Sequence, residues 1–188
     1  MKKLTLLALF VFASANTFAQ TSWTVDKAHA KLGFTLTHLM MSEVDGTFKS
    51  FDASIKASKE DFSDATFELS ADLKALTTNN EMRDGHLQKP DMFDTEKFPT
   101  MTFKSTSLTS AGGNKYKMMG NLTIKGVTKP VTLDLILLGK GKNRQGKDLV
   151  GFKATGIVKR TDYGVGGMPN AVVSEDIELR ASGEFAKQ

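Results

Sequence analysis

Between Ala30 and Met40 the even positions read Ala, Leu, Phe, Leu, His, Met, and the odd positions Lys, Gly, Thr, Thr, Leu. A period of two places one apolar row on one face of an extended strand and a mostly polar row on the other. The pattern recurs along the chain. Gly46 to Ala57 alternates with a phase slip between Phe48 and Phe51, as a β-bulge produces. Ala65, Phe67, Leu69, Ala71 and Leu73 form a third row, separated by Thr, Glu, Ser and Asp. Met101 and Phe103 open a fourth strand that runs to a turn at Gly112-Gly113-Asn114, and Tyr116, Met118, Gly120, Leu122 and Ile124 mark a fifth. Lys125-Gly126 leads to a sixth, Val131 to Leu138. After a turn at Asn143–Gly146, Val150, Phe152, Ala154, Gly156 and Val158 form the seventh. Ile177, Leu179 and Ala181, extending toward Phe185, complete an eighth.

Eight antiparallel strands in one open sheet would leave unpaired edges, and closure removes them. The pattern therefore predicts an all-β fold, eight antiparallel strands closed into an up-and-down β-barrel, with a two-sheet sandwich as the alternative. An eight-stranded barrel either packs solid or holds one small ligand. Small residues at inward positions (Ala30, Ala71, Gly120, Ala154, Gly156) beside large Phe and Met fit either a channel or a simple taper.

Two segments break the alternation. Thr77 to Phe103 contains Arg83, Asp84 and His86 close together, then Met92, Phe93 and Phe98, punctuated by Pro90 and Pro99. Asn79 or Asn80 is placed to cap a short helix ending near Leu87. A short helix followed by an apolar loop in an otherwise β chain reads as a lid. The second break, Arg160 to Asn170, is rich in glycine but lacks the strand-to-helix context and the Lys-Ser/Thr of a phosphate loop, so it reads as a flexible loop at the barrel mouth.

The N-terminus changes the picture. Lys2-Lys3, an apolar run from Leu4 to Phe12 and small residues thereafter read as a cleaved secretory signal peptide spanning residues 1–19, too short for a membrane span. Cleavage after Ala19 is favoured over Ala15 because ordered patterning starts by Trp23. One domain, residues 20–188, follows, and the signal implies a protein free in the periplasm or outside. With no cysteine there is neither a disulfide framework nor a residue to carry a lipid anchor. The formal charge of +4 falls to +2 without Lys2 and Lys3, and the charges are interspersed, which argues against a nucleic-acid partner. Of 13 Phe, three leave with the signal. Against 2 Tyr and 1 Trp, those remaining suit a dry core or an apolar cavity better than a polar stacking platform. Nine Met, able to fill irregular apolar volumes, point the same way.

Candidate chemistry is sparse. His29, His38 and His86 have no metal-ligand spacing and there is no thiol, so no metal site is expected. His38 shares the parity of Phe34 and Leu36 and should face the interior, either as a hydrogen-bonded core histidine or as a polar contact for a ligand. Asp26, three residues before His29, suits a turn that accepts from the backbone. Arg83, Asp84 and His86 either fasten the short helix to the barrel or form a catalytic cluster; no G-x-S-x-G elbow accompanies them.

The motifs Trp23-Thr-Val-Asp-Lys-Ala-His29, Phe34-x-x-x-His38, Gly46-Thr-Phe48, Arg83-Asp-Gly-His-Leu87, Asp91-Met-Phe-Asp94, Phe98-Pro-Thr-Met-Thr-Phe103, Gly120 to Val131 and Arg160-Thr-Asp-Tyr-Gly164 together resemble the YceI-like family, in the family's order and over nearly the whole chain after the signal. Departures are Met92 and Tyr163, each where Phe is usual, and Ala30 where Ser is common; they bear on pocket shape. The resemblance implies a periplasmic, lipocalin-like barrel, without established catalysis and often dimeric, that binds a long polyisoprenoid or similar amphiphile. It leaves a homodimer open and implies no stable insertion in a membrane. On this reading no residue is catalytic and no cofactor is needed beyond the bound isoprenoid lipid. Phe34, Leu36, His38, Met40, Phe48, Phe67, Phe103, Met118 and Phe152 would line the lumen. Met82, Phe93 and Phe98 would belong to the lid, and Arg83 and His86, with His38, would meet the headgroup. A solid barrel acting as an interaction module in envelope stress and a lipid-modifying enzyme using His38 or His86 are the alternatives.

Overall fold

The computed structural model describes residues 20–188; the stretch expected to be a signal peptide lies outside them. Ten strands follow in order: β1 (Thr21–His38), β2 (Ser42–Phe48), β3 (Phe51–Ala57), β4 (Thr66–Asp72), β5 (Leu76–Thr77), β6 (Thr100–Ser110), β7 (Lys115–Ile124), β8 (Val127–Lys142), β9 (Asp148–Lys159) and β10 (Asp176–Lys187). One helix, α1 (Glu81–Leu87), and two 3-10 turns, Leu73–Ala75 and Arg160–Tyr163, complete the described elements. Pairing runs β10-β9-β8-β7-β6-β4-β3-β1, and β1 also pairs with β10, so eight strands close into a barrel. The sandwich alternative is thereby excluded.

The expected phase slip between Phe48 and Phe51 proves to be a corner rather than a single bulge. The first half of β1, Thr21–Thr24, pairs with β3, whereas Gly33–His38 pairs with β2. The third apolar row behaves the same way: β4 ends at Asp72, Leu73 starts a 3-10 turn capped by the Asp72 carboxylate, and the two-residue β5 pairs only with β2. Because β5 does not pair with β6, the wall opens at this end of the barrel, and the segment carrying α1 occupies the gap.

β1 is longer than the alternation predicted and stops sooner. It starts at Thr21, bulges between Val25 and Ala30, and ends at His38. In the bulge the Asp26 carboxylate accepts from the Ala28 amide at 3.0 Å and meets His29 Nδ1 at 2.8 Å, the turn its spacing suggested. Leu39 and Met40 adopt positive φ (52° and 54°) in a tight turn closed by the Met41 amide donating to His38 O at 3.1 Å. β8 starts at Val127, earlier than expected; Pro130 is tolerated because β9 joins β8 only from Asp134 onward.

Strand direction fixes the two ends. The loops after β3, β6 and β8 lie at one end, and α1 with the Arg160–Asn170 segment at the other. The first end is plugged: Phe62, from the β3–β4 loop, packs tilted against Trp23 and edge-on against Phe152 with ring centroids 5.4 Å from each. Phe152 also meets Phe67 at 5.2 Å and Phe185 at 6.3 Å, all edge-on, the favoured geometry for aromatic quadrupoles. Tyr116 seals the plug by donating from its hydroxyl to Asp61 O at 2.9 Å.

Inward glycines admit large neighbours. A Cβ on Gly120 would lie 2.4 Å from Phe103 Cζ and 2.7 Å from Lys104 O. A ring can swing aside, but the backbone oxygen is fixed in the β6–β7 ladder. Gly120→Ala is therefore expected to destabilise the protein by about 1–3 kcal/mol, read as a lower denaturation midpoint at unchanged m-value.

Candidate functional site

Inside the barrel lie two chambers. The larger, about 440 Å³, opens at the α1 end and is walled by Phe34, Leu36, Val44, Leu87, Phe93, Ile124, Val158, Val165, Ile177 and others. The smaller, about 110 Å³, lies toward the aromatic plug among Leu32, Phe67, Phe103, Leu122, Leu133, Leu135 and Phe152. Phe48, Met101 and Leu179 line both and form the neck between them. A volume of this size suits a small-molecule site, typically 300–1,000 Å³ and mostly apolar with a few placed polar groups.

The polar residues of the larger chamber are His38, Thr78, Asn80, Arg83, His86, Arg160 and Tyr163; among the described residues no carboxylate lines it. Two guanidinium groups in a wall without a carboxylate suit the mouth to a polar or anionic end of an apolar molecule.

α1 is held by its first turn. Asn80, not Asn79, is the cap: its side-chain oxygen accepts from the Arg83 amide at 3.0 Å. Asp84 is the peg, accepting from Thr77 Oγ1 at 2.7 Å and from the Thr78 amide and hydroxyl at 2.7 and 2.5 Å. Burial pushes the Asp84 carboxyl up, but the hydrogen bonds from Thr78 and Thr77 outweigh it and hold its pKa below the ordinary value. Arg83 lies over the same threonine, donating from Nε to Thr78 Oγ1 at 2.7 Å and from Nη2 to Thr78 O at 2.9 Å; its Nη1 has no hydrogen-bond partner among the described residues. Asp84 and Arg83 thus fasten the helix, and Arg83 keeps donors to spare. His86, which also lines the larger chamber, faces Asp91 Oδ2 with its Nε2 at 3.3 Å.

The lid is also fastened to the Gly-rich segment. Lys125, in the β7–β8 turn, donates from Nζ to Pro90 O at 2.8 Å and to Gly164 O at 2.9 Å, and the Gly166 amide donates to Asp91 O at 3.0 Å. Arg160 ties that segment down. Its Nε donates to Ser174 O, Nη1 to Val165 O and Gly166 O, and Nη2 to Met168 O and Val173 O, at 2.6–3.2 Å. A buried guanidinium has five N–H donors, and here each meets a carbonyl. The segment expected as a flexible mouth loop is instead organised around this side chain. Tyr163, 2% exposed, closes the same wall; burial pushes its hydroxyl up to about 12.

Of the residues expected in the lumen, Phe34, Leu36, His38 and Phe48 line the larger chamber, and Phe48, Phe67, Phe103 and Phe152 the smaller. Met118 is buried in the packed core and lines neither. Met40 departs from the parity expectation: the strand has ended by then, and its side chain is 77% exposed in the turn. In the lid, Met82, Arg83, His86 and Phe93 line the larger chamber, Met82 at its exposed rim, whereas Phe98 packs over Gly126 instead. The sequence gives no site role to Arg160 or Lys125, and marks Tyr163 only as a departure bearing on pocket shape. An arginine opening a Gly-rich stretch was the available signal for the first. On the barrel exterior, Glu184 of β10 approaches Asp26 and His29, with ligand atoms within 4.8 Å of one another; none of the three lines either chamber.

Because folding depresses the Asp84 pKa, its anchorage is complete above about pH 4 and fades as pH falls through the lowered value. Hydrogen exchange of the α1 amides should therefore speed up below about pH 4 in the wild type. Asp84→Asn should give fast α1 exchange already at pH 7, with barrel strands still protected. Equal α1 protection in both proteins would contradict this account of the lid.

A family model described as YceI-like domain matches residues 23–185. A UPF0312 protein of Staphylococcus aureus (strain N315) is 35% identical over 175 residues, covering 88% of this chain and 98% of the relative. The crystal structure of the Campylobacter jejuni YceI protein superposes with a TM-score of 0.73 at 30% identity, covering 100% of this chain and 99% of that one. A polyisoprenoid binding domain from Saccharophagus degradans, implicated in plant cell wall breakdown, shares the fold at TM-score 0.62 and 14% identity, covering 89% and 98%. With the closed barrel, its chamber and a match spanning almost all the described residues, the chain belongs to the YceI-like family.

Proposed function

We propose that this protein is a periplasmic carrier or store for a long-chain isoprenoid lipid of the quinone or prenyl-phosphate type, held with its tail in the barrel and its polar end at the α1 mouth. The observation that carries this reading is the larger chamber, about 440 Å³, apolar in its depths and lined toward polar atoms only by cationic and neutral groups. The polyisoprenoid binding named for the Saccharophagus degradans domain supports the ligand class through the shared fold. Lys2-Lys3 and the apolar run after them support export.

Binding rests on burial. Each CH₂ removed from water contributes about 0.8 kcal/mol, so a few isoprene units offset the cost of association and reach micromolar affinity. A longer tail must pass the neck of Phe48, Met101 and Leu179 into the smaller chamber, which asks for rotamer changes at Met101 and Leu179 rather than movement of the ladder. At the mouth, Arg83 has unused donors for a charge-assisted hydrogen bond to an anionic headgroup, and His38 and His86 border the same space. On this reading no catalytic step is assigned to either histidine.

Native mass spectrometry of protein purified from its own periplasm, followed by organic extraction, tests the reading. A stoichiometric isoprenoid is the expected result. A clean apo mass together with no uptake of added prenyl lipids would overturn it in favour of a ligand-free interaction module. If the headgroup is a phosphate, Arg83→Gln should weaken prenyl-phosphate binding about tenfold and reduce its salt dependence, while leaving a tail-matched hydrocarbon unaffected.

A further inference from the structure

Gly46 sits in the inward-facing row of β2, between Val44 and Phe48. Val44 lines the larger chamber and Phe48 lines both chambers, yet Gly46 lines neither. The reason is Phe34, its partner across the ladder on β1. A Cβ on Gly46 would lie 2.2 Å from Phe34 Cε1 and 2.3 Å from Cζ, so the ring occupies the space that a side chain on β2 would take. On its other side Phe34 pairs with Leu179, a residue of the neck, and its ring centroid is 6.0 Å from that of Phe48, another neck residue. The ring therefore borders the neck, and its place over Gly46 keeps it out of the bore.

An alanine at this position would move the ring and spare the ladder. The three heavy atoms nearest to the added Cβ all belong to the Phe34 ring, the third at 3.0 Å, and Gly46 has no positive φ. Gly120 differs, because there a backbone oxygen lies in the way. Leu179 and Phe48 fill the adjoining wall, so the chamber is the empty space into which a displaced ring turns. The larger chamber, about 440 Å³, takes roughly fifteen water-sized groups at about 30 Å³ each, comparable to about three isoprene units. Units beyond that must pass the neck.

We propose that Gly46 is a specificity-determining residue for tail length: by adding no side chain to the wall it lets Phe34 lie back against β2, and so sets the bore through which a tail reaches the smaller chamber. Gly46 is a positioning residue that acts through Phe34 and touches no ligand itself. The ligand class that follows is an isoprenoid whose tail outruns the larger chamber. This rests on the carrier reading and deepens it.

The test compares delipidated wild-type protein, Gly46→Ala and the double variant Gly46→Ala/Phe34→Leu, titrated calorimetrically with isoprenoid alcohols of two and four units. In Gly46→Ala the affinity for the four-unit alcohol should fall about tenfold or more, since a tail stopped at the neck leaves several CH₂ groups in water. The two-unit alcohol should stay within about threefold of its wild-type affinity. Leucine at position 34 has no ring to turn into the bore, so the double variant should recover the four-unit affinity to within about threefold of wild type. A crystal structure of apo Gly46→Ala supplies a readout that needs no ligand: the Phe34 ring should stand in the chamber of an otherwise unchanged barrel. An equal loss for both alcohols, no loss for either, or a double variant no better than Gly46→Ala would overturn the assignment. So would a Gly46→Ala chain that fails to fold, because the ring would then have had no space to enter. Uptake of neither alcohol by the wild type would instead sink the carrier reading, and the specificity role with it, wherever the ring stands.

Discussion

Everything in this molecule depends on the pairing of β1 with β10. An extended β-sheet with exposed ends carries rows of unpaired amides and carbonyls, and joining first strand to last removes both rows at once. Closure also creates an interior with no other exit than the two ends. One end is filled by Phe62 and the aromatic side chains around it. The other is kept open because β2 and β5 turn away from the ring and β5 leaves β6 unpaired at that point. A barrel that is closed around its girth, plugged at one end and interrupted at the other offers an entrance at the interrupted end.

That entrance is built from polar contacts that are directed at the backbone more than at each other. Asp84 holds α1 through two threonines, Lys125 bridges two loop carbonyls, and Arg160 gathers five. Charged groups used this way organise segments that lack a hydrophobic core of their own. Among the described residues they leave the wall of the larger chamber without a carboxylate, while the apolar strand faces supply its depth. The same arrangement explains why α1 is the natural place to open: it has no fully buried residue and is held by its first turn. Local opening of such an element is far cheaper than unfolding the barrel.

Alternation made the barrel legible because a strand half-buried against a lumen must repeat every two residues, and Phe34, Phe67, Phe103 and Phe152 show that repeat without interruption. It failed where backbone geometry changes. Parity carried through Met40 although the chain had already turned at Leu39, since nothing in Leu-Met announces two left-handed residues. Parity also cannot separate a packed core from a cavity wall, so Met118 was grouped with lumen residues it only backs. The helix and its cap were readable because Asn80 and the prolines are local signals. The role of Arg160 was not, because its five acceptors come from residues 165–174 and assemble only in the folded loop. That the buried Tyr163 hydroxyl meets no partner among the described residues is invisible in sequence for the same reason: satisfaction of a hydrogen bond is a property of the folded chain.

The central claim is that the barrel interior is a chamber that takes an apolar chain out of water. Burial of apolar surface leaves a heat-capacity signature that surface adsorption of a headgroup does not. The most direct measurement is calorimetric titration of the delipidated protein with a soluble short-chain isoprenoid at several temperatures. The account predicts saturable binding of one ligand per chain, with a negative heat-capacity change that grows as isoprene units are added. Saturable binding with no dependence of the heat-capacity change on tail length would contradict it.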